Sequence, residues 1–154
     1  MNSITITNHK TFMNSLLRED KFDSFLLKEA CIITSNTYTI DGRENKAFYS
    51  DIELSENISP YEYASWSKMR QVILGLIKGH NTPLKMKFVL YADPETTSEL
   101  LGETAKDVDY LILNYHFDES GMGLTSAVAY KTFTLDKEAD KAWDIYVAKL
   151  IDQI

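Results

Sequence analysis

The sequence predicts an α+β fold: a mainly antiparallel sheet built from hairpins, with two long amphipathic helices packed on it. Three observations lead there. Turn signals at Asp41-Gly42 and at Asp118-Glu119-Ser120-Gly121-Met122-Gly123 each lie between runs of β-forming residues, which marks tight hairpins. Two long segments repeat apolar residues at steps of three and four. The regular strand–helix alternation of a doubly wound parallel sheet is absent. The predicted order is β-α-β-β-α-β-α-β-β-α within one domain, residues 1–154.

Along the chain, Ile4 and Ile6 alternate with polar residues over 3–7, a short strand. Asn8 is placed to cap a helix whose Phe12, Met13, Leu16 and Leu17 form an apolar face ended by Arg18-Glu19-Asp20. Residues 22–27 read equally as a helical turn or the start of a strand. From 30 to 40 the β-branched content is high (Ile32, Ile33, Thr34, Thr37, Thr39, Ile40), so one strand is expected. Asp41-Gly42 should then turn the chain into a second strand through Ala47-Phe48-Tyr49. Residues 50–59 are acidic and polar, a surface loop.

Ser59-Pro60-Tyr61-Glu62 combines an N-cap serine, proline at the first helical position and glutamate three residues after the cap. A helix is predicted to start there, with Trp66, Met69, Val72, Ile73, Leu76 and Ile77 on one side. Gly79 stops it, with Pro83 beyond. In the next strand Leu84, Met86, Phe88 and Leu90 point inward and Lys85 and Lys87 outward. Asp93-Pro94 opens a short helix that includes Leu100 and Leu101, and 102–107 form a loop.

The closing unit reads as a hairpin, 108–117 and 124–134, followed by a helix over 136–154. Leu111, Leu113, Tyr115 and Phe117 alternate onto one face of its first strand; Tyr110, Ile112, Asn114 and His116 take the other. Asp136 is placed to accept from the free amides of the helix's first turn. Ala139, Ala142, Trp143, Tyr146, Val147, Leu150, Ile151 and Ile154 make one apolar stripe, which should lie across the sheet and bury Trp143.

Bulk properties exclude several classes. With 44% hydrophobic and 25% charged residues the chain is expected to fold as a soluble globular protein. A formal net charge of −7 with no Lys/Arg run repels a phosphate backbone, so nucleic acid is not an expected partner. Cys31 is the only cysteine, which rules out an intrachain disulfide and a Cys-based zinc site. The opening residues 1–7 have neither a basic nor an apolar signal-peptide region, and no apolar run approaches a membrane span. A cytoplasmic location without membrane attachment is expected.

Motifs for chemistry are scarce. His9, His80 and His116 lie on three different elements without HExxH or i,i+4 spacing, so no metal is expected. Parity sets Asp109 on the opposite strand face from His116, and Asp118 joins His116 only through the hairpin. Cys31 opens an apolar run with no basic neighbour to activate it. There is no GxSxG elbow, SxxK motif or Walker lysine, and Gly121-Met122-Gly123 lacks the rest of a dinucleotide fingerprint, so no cofactor is expected. The carboxylate pairs Asp51/Glu53 and Asp118/Glu119 read as solvated loop charge. One patch stands out: Lys78, His80, Lys85 and Lys87, with Tyr61, Tyr63 and Trp66 nearby in sequence. It is a candidate anion- or partner-binding site, set against the plainer reading of lysines that discourage edge pairing.

Residues 22–30, Asn36-Thr37-Tyr38-Thr39-Ile40-Asp41-Gly42, Ile77-Lys78-Gly79-His80-Asn81-Thr82-Pro83 and Lys131-Thr132-Phe133-Thr134-Leu135-Asp136 resemble a small domain-of-unknown-function family of anaerobic Gram-positive bacteria. The resemblance covers the whole chain and implies a bacterial cytosolic protein, with no activity or site residues to carry over. The element order is also similar to one repeat of a DNA sliding clamp, an analogy of fold alone.

Two functions follow as expectations. The first is a non-catalytic binding or protein-interaction module, with an unknown protein or a second copy as partner, since nine tyrosines and two tryptophans suit an interface. The second is a small enzyme or binder acting on an anionic metabolite, with His80 or His116 as acid–base group. A clamp-like nucleic-acid platform is a third, outside reading.

Overall fold

The computed structural model of the protein describes residues 2–52 and 60–154. Its strands are β1 (Asn2–Ile6), β2 (Phe25–Ile33), β3 (Thr37–Asp41), β4 (Ala64–Ser65), β5 (Lys85–Ala92), β6 (Val108–Asp118) and β7 (Gly121–Tyr130). Its α-helices, among the described residues, are α1 (His9–Leu17), α2 (Trp66–Ile77), α3 (Pro94–Leu101) and α4 (Glu138–Asp152). The predicted α+β class holds. All seven strands join one antiparallel sheet in the order β1-β7-β6-β5-β2-β3, with β4 pairing the same side of β2 as β3. No described helix is long and apolar enough to cross a membrane.

Helices α1, α2 and α4 lie on one face of this sheet. Phe12 and Leu16 of α1, Trp66 and Ile73 of α2, and Trp143 and Val147 of α4 bury against Leu27, Ile32, Phe88, Leu90, Leu113 and Tyr115. Phe88 and Phe12 both stack on Tyr115, at 5.0 and 5.9 Å between ring centroids. Both indole N–H groups are satisfied by backbone carbonyls, Trp66 by Leu16 and Trp143 by Ile112, each at 2.9 Å. An unpaired buried donor would cost about 1–3 kcal/mol, so these bonds fix how the helices seat.

Several caps form where the residue chemistry requires them. Asn8 accepts from Thr11 N–H at 3.1 Å, and Asp93 accepts from Thr96 N–H at 2.7 Å ahead of Pro94. Asp136 accepts from Glu138 N–H at 2.9 Å, one residue ahead of the formal cap, Lys137.

Other expectations are corrected. The expected strand 30–40 is two strands, β2 and β3, because the chain turns at Thr34-Ser35-Asn36, where Thr34 N–H donates to Asn36 O at 2.9 Å. Asp41-Gly42 is not a hairpin turn: Gly42 runs on beside β2, and Lys46–Phe48 form a 3-10 turn instead of a strand. Pro60-Tyr61-Glu62 does not open α2. Ala64 and Ser65 pair with Leu27 and Leu26 first, so the helix begins at Trp66; Ser59, like the rest of 53–59, lies outside the described residues. Val72 and Leu84, expected inward, are exposed, and β7 ends at Tyr130, leaving Phe133 exposed.

Strand β2 is irregular where these pieces meet. The register against β5 shifts between Leu27 and Glu29, a bulge at Lys28. Opposite it Gly42 N–H donates to Lys28 O at 2.8 Å, and Ala64 N–H donates to Gly42 O at 2.8 Å. A Cβ on Gly42 would stand 1.8 Å from the Leu27 carbonyl oxygen. Gly75, in the exposed part of α2, has nothing within 4 Å of its ideal Cβ.

The two glycines therefore respond oppositely to alanine. Gly42→Ala should destabilise the protein by at least about 1–3 kcal/mol through forced backbone displacement. Gly75→Ala should stabilise it by about 0.5–1 kcal/mol through lower unfolded-state entropy. Urea unfolding of both variants beside the wild type checks the opposite signs.

Candidate functional site in the helix-free sheet face

The pleat sends alternate residues of each strand away from the helices. On β5 these are Lys85, Lys87, Val89 and Tyr91; on β6 they are Tyr110, Ile112, Asn114 and His116. Cross-strand registers align them in rows, Cys31–Lys87–His116–Gly123 and Glu29–Val89–Asn114–Thr125. One end of the face is aromatic and the other polar.

At the aromatic end Leu26, Val89 and Tyr91 are buried under Tyr63, with Tyr61, Tyr110 and Ile112 half-buried around them. Tyr91 and Tyr110 stack at 4.0 Å with a 16° interplanar angle, and Tyr63 meets both edge-on at 5.4 and 6.0 Å. Tyr63 reaches this position because it bridges Arg43 immediately before β4. The Arg43 guanidinium lies 5.3 Å from the centre of the Tyr63 ring, donates to its hydroxyl at 3.3 Å, and pairs with Glu62. Glu62 also accepts from the Tyr110 hydroxyl at 3.1 Å.

This arrangement sets the protonation states. Burial first, then the charges around it, pushes Tyr91 up to about 12. Burial, followed by the bond to Glu62, pushes Tyr110 up to about 12. The same carboxylate holds Arg43 above its ordinary value. At neutral pH Tyr91 and Tyr110 are neutral phenols, and the Arg43 guanidinium is paired with the Glu62 carboxylate.

The residues singled out from sequence are divided by the fold. Lys87 and Tyr63 line one hollow of about 440 Å³ with Arg43, Cys31 and Thr39, and Lys85 lies two residues along the same face. Tyr61 packs on the tyrosine cluster. Lys78 ends α2 and lines a separate groove on the helix side, and His80 sits in the exposed loop beyond it. The cause is geometric: α2 covers one face of the sheet, while the pleat of β5 turns Lys85 and Lys87 to the other. Trp66 belongs to the core and is fully buried.

His116 is exposed on the polar end, its ring lying over Gly123, where a Cβ would come within 2.8 Å. Asp118 accepts from Ser120 N–H at 2.8 Å, and that residue's hydrogen bonds are the main cause of its lowered pKa, ahead of His116 and Lys85. Asp109 occupies the irregularity between Val108 and Tyr110. Cys31 is half-buried and free. Among the described residues no group of three His, Cys, Asp or Glu could hold a metal ion.

Residues 15–154 match the model of a family of unknown function, DUF5721. The chain belongs to this family. No curated protein and no solved structure matches it. The DUF5721 match includes every residue of the tyrosine cluster, and it assigns none of them a role.

Arg43, Glu62, Tyr91 and Tyr110 were not among the candidate site residues of the sequence, although Glu62 was read as part of a helix start and Tyr110 as facing away from the apolar side of its strand. A signal was present for Tyr91: Phe88-Val89-Leu90-Tyr91-Ala92 is unbroken by polar residues, the pattern of a strand buried on both faces. Nothing local marks Arg43, and the local pattern at Glu62 points to a helix cap instead; their partners are 19 to 48 residues away along the chain.

Because the folded-state phenol pKa values exceed the ordinary value near 10, protonation favours the folded state. That stability is complete below pH 10 and is lost as pH rises towards about 12. Spectrophotometric titration should show phenol groups ionising late, and Tyr110→Phe should remove one of them and soften the loss of stability above pH 10.

Proposed function

We propose that the protein is a non-catalytic interaction module of the bacterial cytosol that receives a protein partner on its helix-free sheet face. The observation that supports this reading is the tyrosine cluster with Arg43, placed on the sheet face opposite α1, α2 and α4, which none of these helices covers. Tyrosine and arginine dominate the energetics of protein interfaces because they bury large area at low entropy cost and keep a polar end. Lys87 lines a hollow with Tyr63 and Arg43, and Lys85 extends the positive charge along the same face, which suits an acidic rim on the partner.

The test is a pair of charge reversals at exposed positions, Lys85→Glu with Lys87→Glu. Partner capture by the immobilised variant should fall at least tenfold, about 1.4 kcal/mol, while its melting temperature stays near wild type. Equal capture by both proteins would remove the sheet face as the binding surface. Thermal shift against anionic metabolites separates the competing assignment: a ligand at 100 times its dissociation constant stabilises by about 2.7 kcal/mol. A hit of that size abolished by Lys87→Glu would replace the protein partner with a small anion.

A further inference from the structure

Charge is segregated in this molecule. Residues 9–18 and 66–78, which are α1, α2 and their last caps, hold Lys10, Arg18, Lys68, Arg70 and Lys78 and not one of the chain's 23 acidic residues. Lys68 pairs with Glu44 and Arg70 with Asp23. Lys10, Arg18 and Lys78 have no ion pair with any described residue and rim a groove of about 540 Å³ between the two helices. Its floor is apolar, made by Met13, Leu17, Leu74 and Ile77. Glu19, just past α1, is engaged by Ser15 and Lys21.

The complement lies at the other end of the same chain. Residues 93–109 carry Asp93, Glu95, Glu99, Glu103, Asp107 and Asp109 against Lys106 alone. Beside them runs the connection from β7 to α4, tied to that region by Lys131 N–H donating to Asp107 O at 3.0 Å. In this connection Phe133 is 89% exposed and Leu135 82%, the highest values except Phe48 among the exposed large hydrophobics. The segment is held: Asp136 N–H donates to the Thr134 hydroxyl at 3.0 Å, Tyr130 donates to Asp136 O at 3.4 Å, and Asp136 receives Glu138 N–H. Two apolar side chains are thus presented to solvent on a backbone that local bonds fix, which lowers the ordering cost of docking them.

We propose that the Phe133–Leu135 connection of a second copy of this chain docks in the α1–α2 groove, with the acidic 93–109 region of that copy facing Lys10, Arg18 and Lys78. Docking within one chain is closed off by the fold. The connection follows the end of the sheet where Val108 pairs with Tyr130, whereas Lys78 leads to the opposite end, where Met86 pairs with Phe117. A duplex nucleic acid is the weaker fit, since three free cations in a chain of net charge −7 leave Phe133 and Leu135 without a role. The contact is heterologous, so each copy offers one groove and one connection.

Sedimentation equilibrium of the full chain over a range of concentration and salt tests this. The expected result is reversible association that weakens as salt rises. Phe133→Ser with Leu135→Ser should abolish it, as should Arg18→Glu with Lys78→Glu, each alone giving a monomer. Mixing the two monomeric variants should restore a 1:1 dimer that grows no further, because one intact groove meets one intact connection. Circular dichroism confirms that both variants fold, and Lys85→Glu with Lys87→Glu should leave the association unchanged, which separates it from the sheet-face partner. A monomeric wild type, an association that survives either variant, or a groove that binds short duplex DNA in a monomer overturns the proposal.

Discussion

The structure depends on how the outer side of β2 is completed. No single strand runs its length: β3 pairs with residues 29–33, β4 pairs with Leu26 and Leu27, and Gly42 bridges the bulge between them. That bridge works only without a side chain, because the Leu27 carbonyl occupies the space a Cβ would need. It also sets where everything after it lies. Pairing Ala64 and Ser65 to β2 fixes the start of α2, delivers Trp66 to the core and leaves the preceding Tyr63 on the opposite sheet face.

The two faces are stabilised in different ways. On the helix side, burial of aromatic and aliphatic side chains dominates; the Trp66 N–H ties α2 to α1 at Leu16, and the Trp143 N–H ties α4 to the sheet at Ile112. Full burial of such a side chain contributes about 1.5–3 kcal/mol. On the other side a smaller cluster is sealed by Tyr63 and ringed by the Arg43–Glu62–Tyr110 network. The hydroxyls of Tyr63 and Tyr110 are held in that network, by Arg43 and Glu62 respectively.

Surface charge follows the architecture too. The net charge of −7 hides a cationic helix pair and an acidic far end. Long-range attraction between such regions on two molecules falls within a Debye length, about 8 Å at physiological salt, so it orients an encounter that apolar contact then holds. The tyrosine cluster and the cationic helix pair lie on separate surfaces of the molecule.

Legible in the sequence were features that depend on near neighbours. The alternation of Leu111, Leu113 and Tyr115, the stripe around Trp143, and the caps at Asn8 and Asp93 all follow from local periodicity and short-range hydrogen bonds. So did the α+β class and the placement of Lys85 and Lys87 away from the helices. The turn at Thr34-Ser35-Asn36 was hidden by β-branched residues on both sides, and Asp41-Gly42 misled because glycine serves close approach there and not a turn. The strong helix-start pattern at Pro60-Tyr61-Glu62 lost to strand pairing just beyond it. Tyr61, Tyr63 and Lys87 of the candidate site were named from the sequence, but its assembly belongs to tertiary structure: Arg43, Glu62, Tyr63, Tyr91 and Tyr110 meet only after β2, β5 and β6 pair, and Lys78 parts from Lys87 because a helix and a strand face opposite ways. Sequence decides which segments are helix or strand from neighbours a few residues away; the pairing of distant strands decides which side chains share a surface.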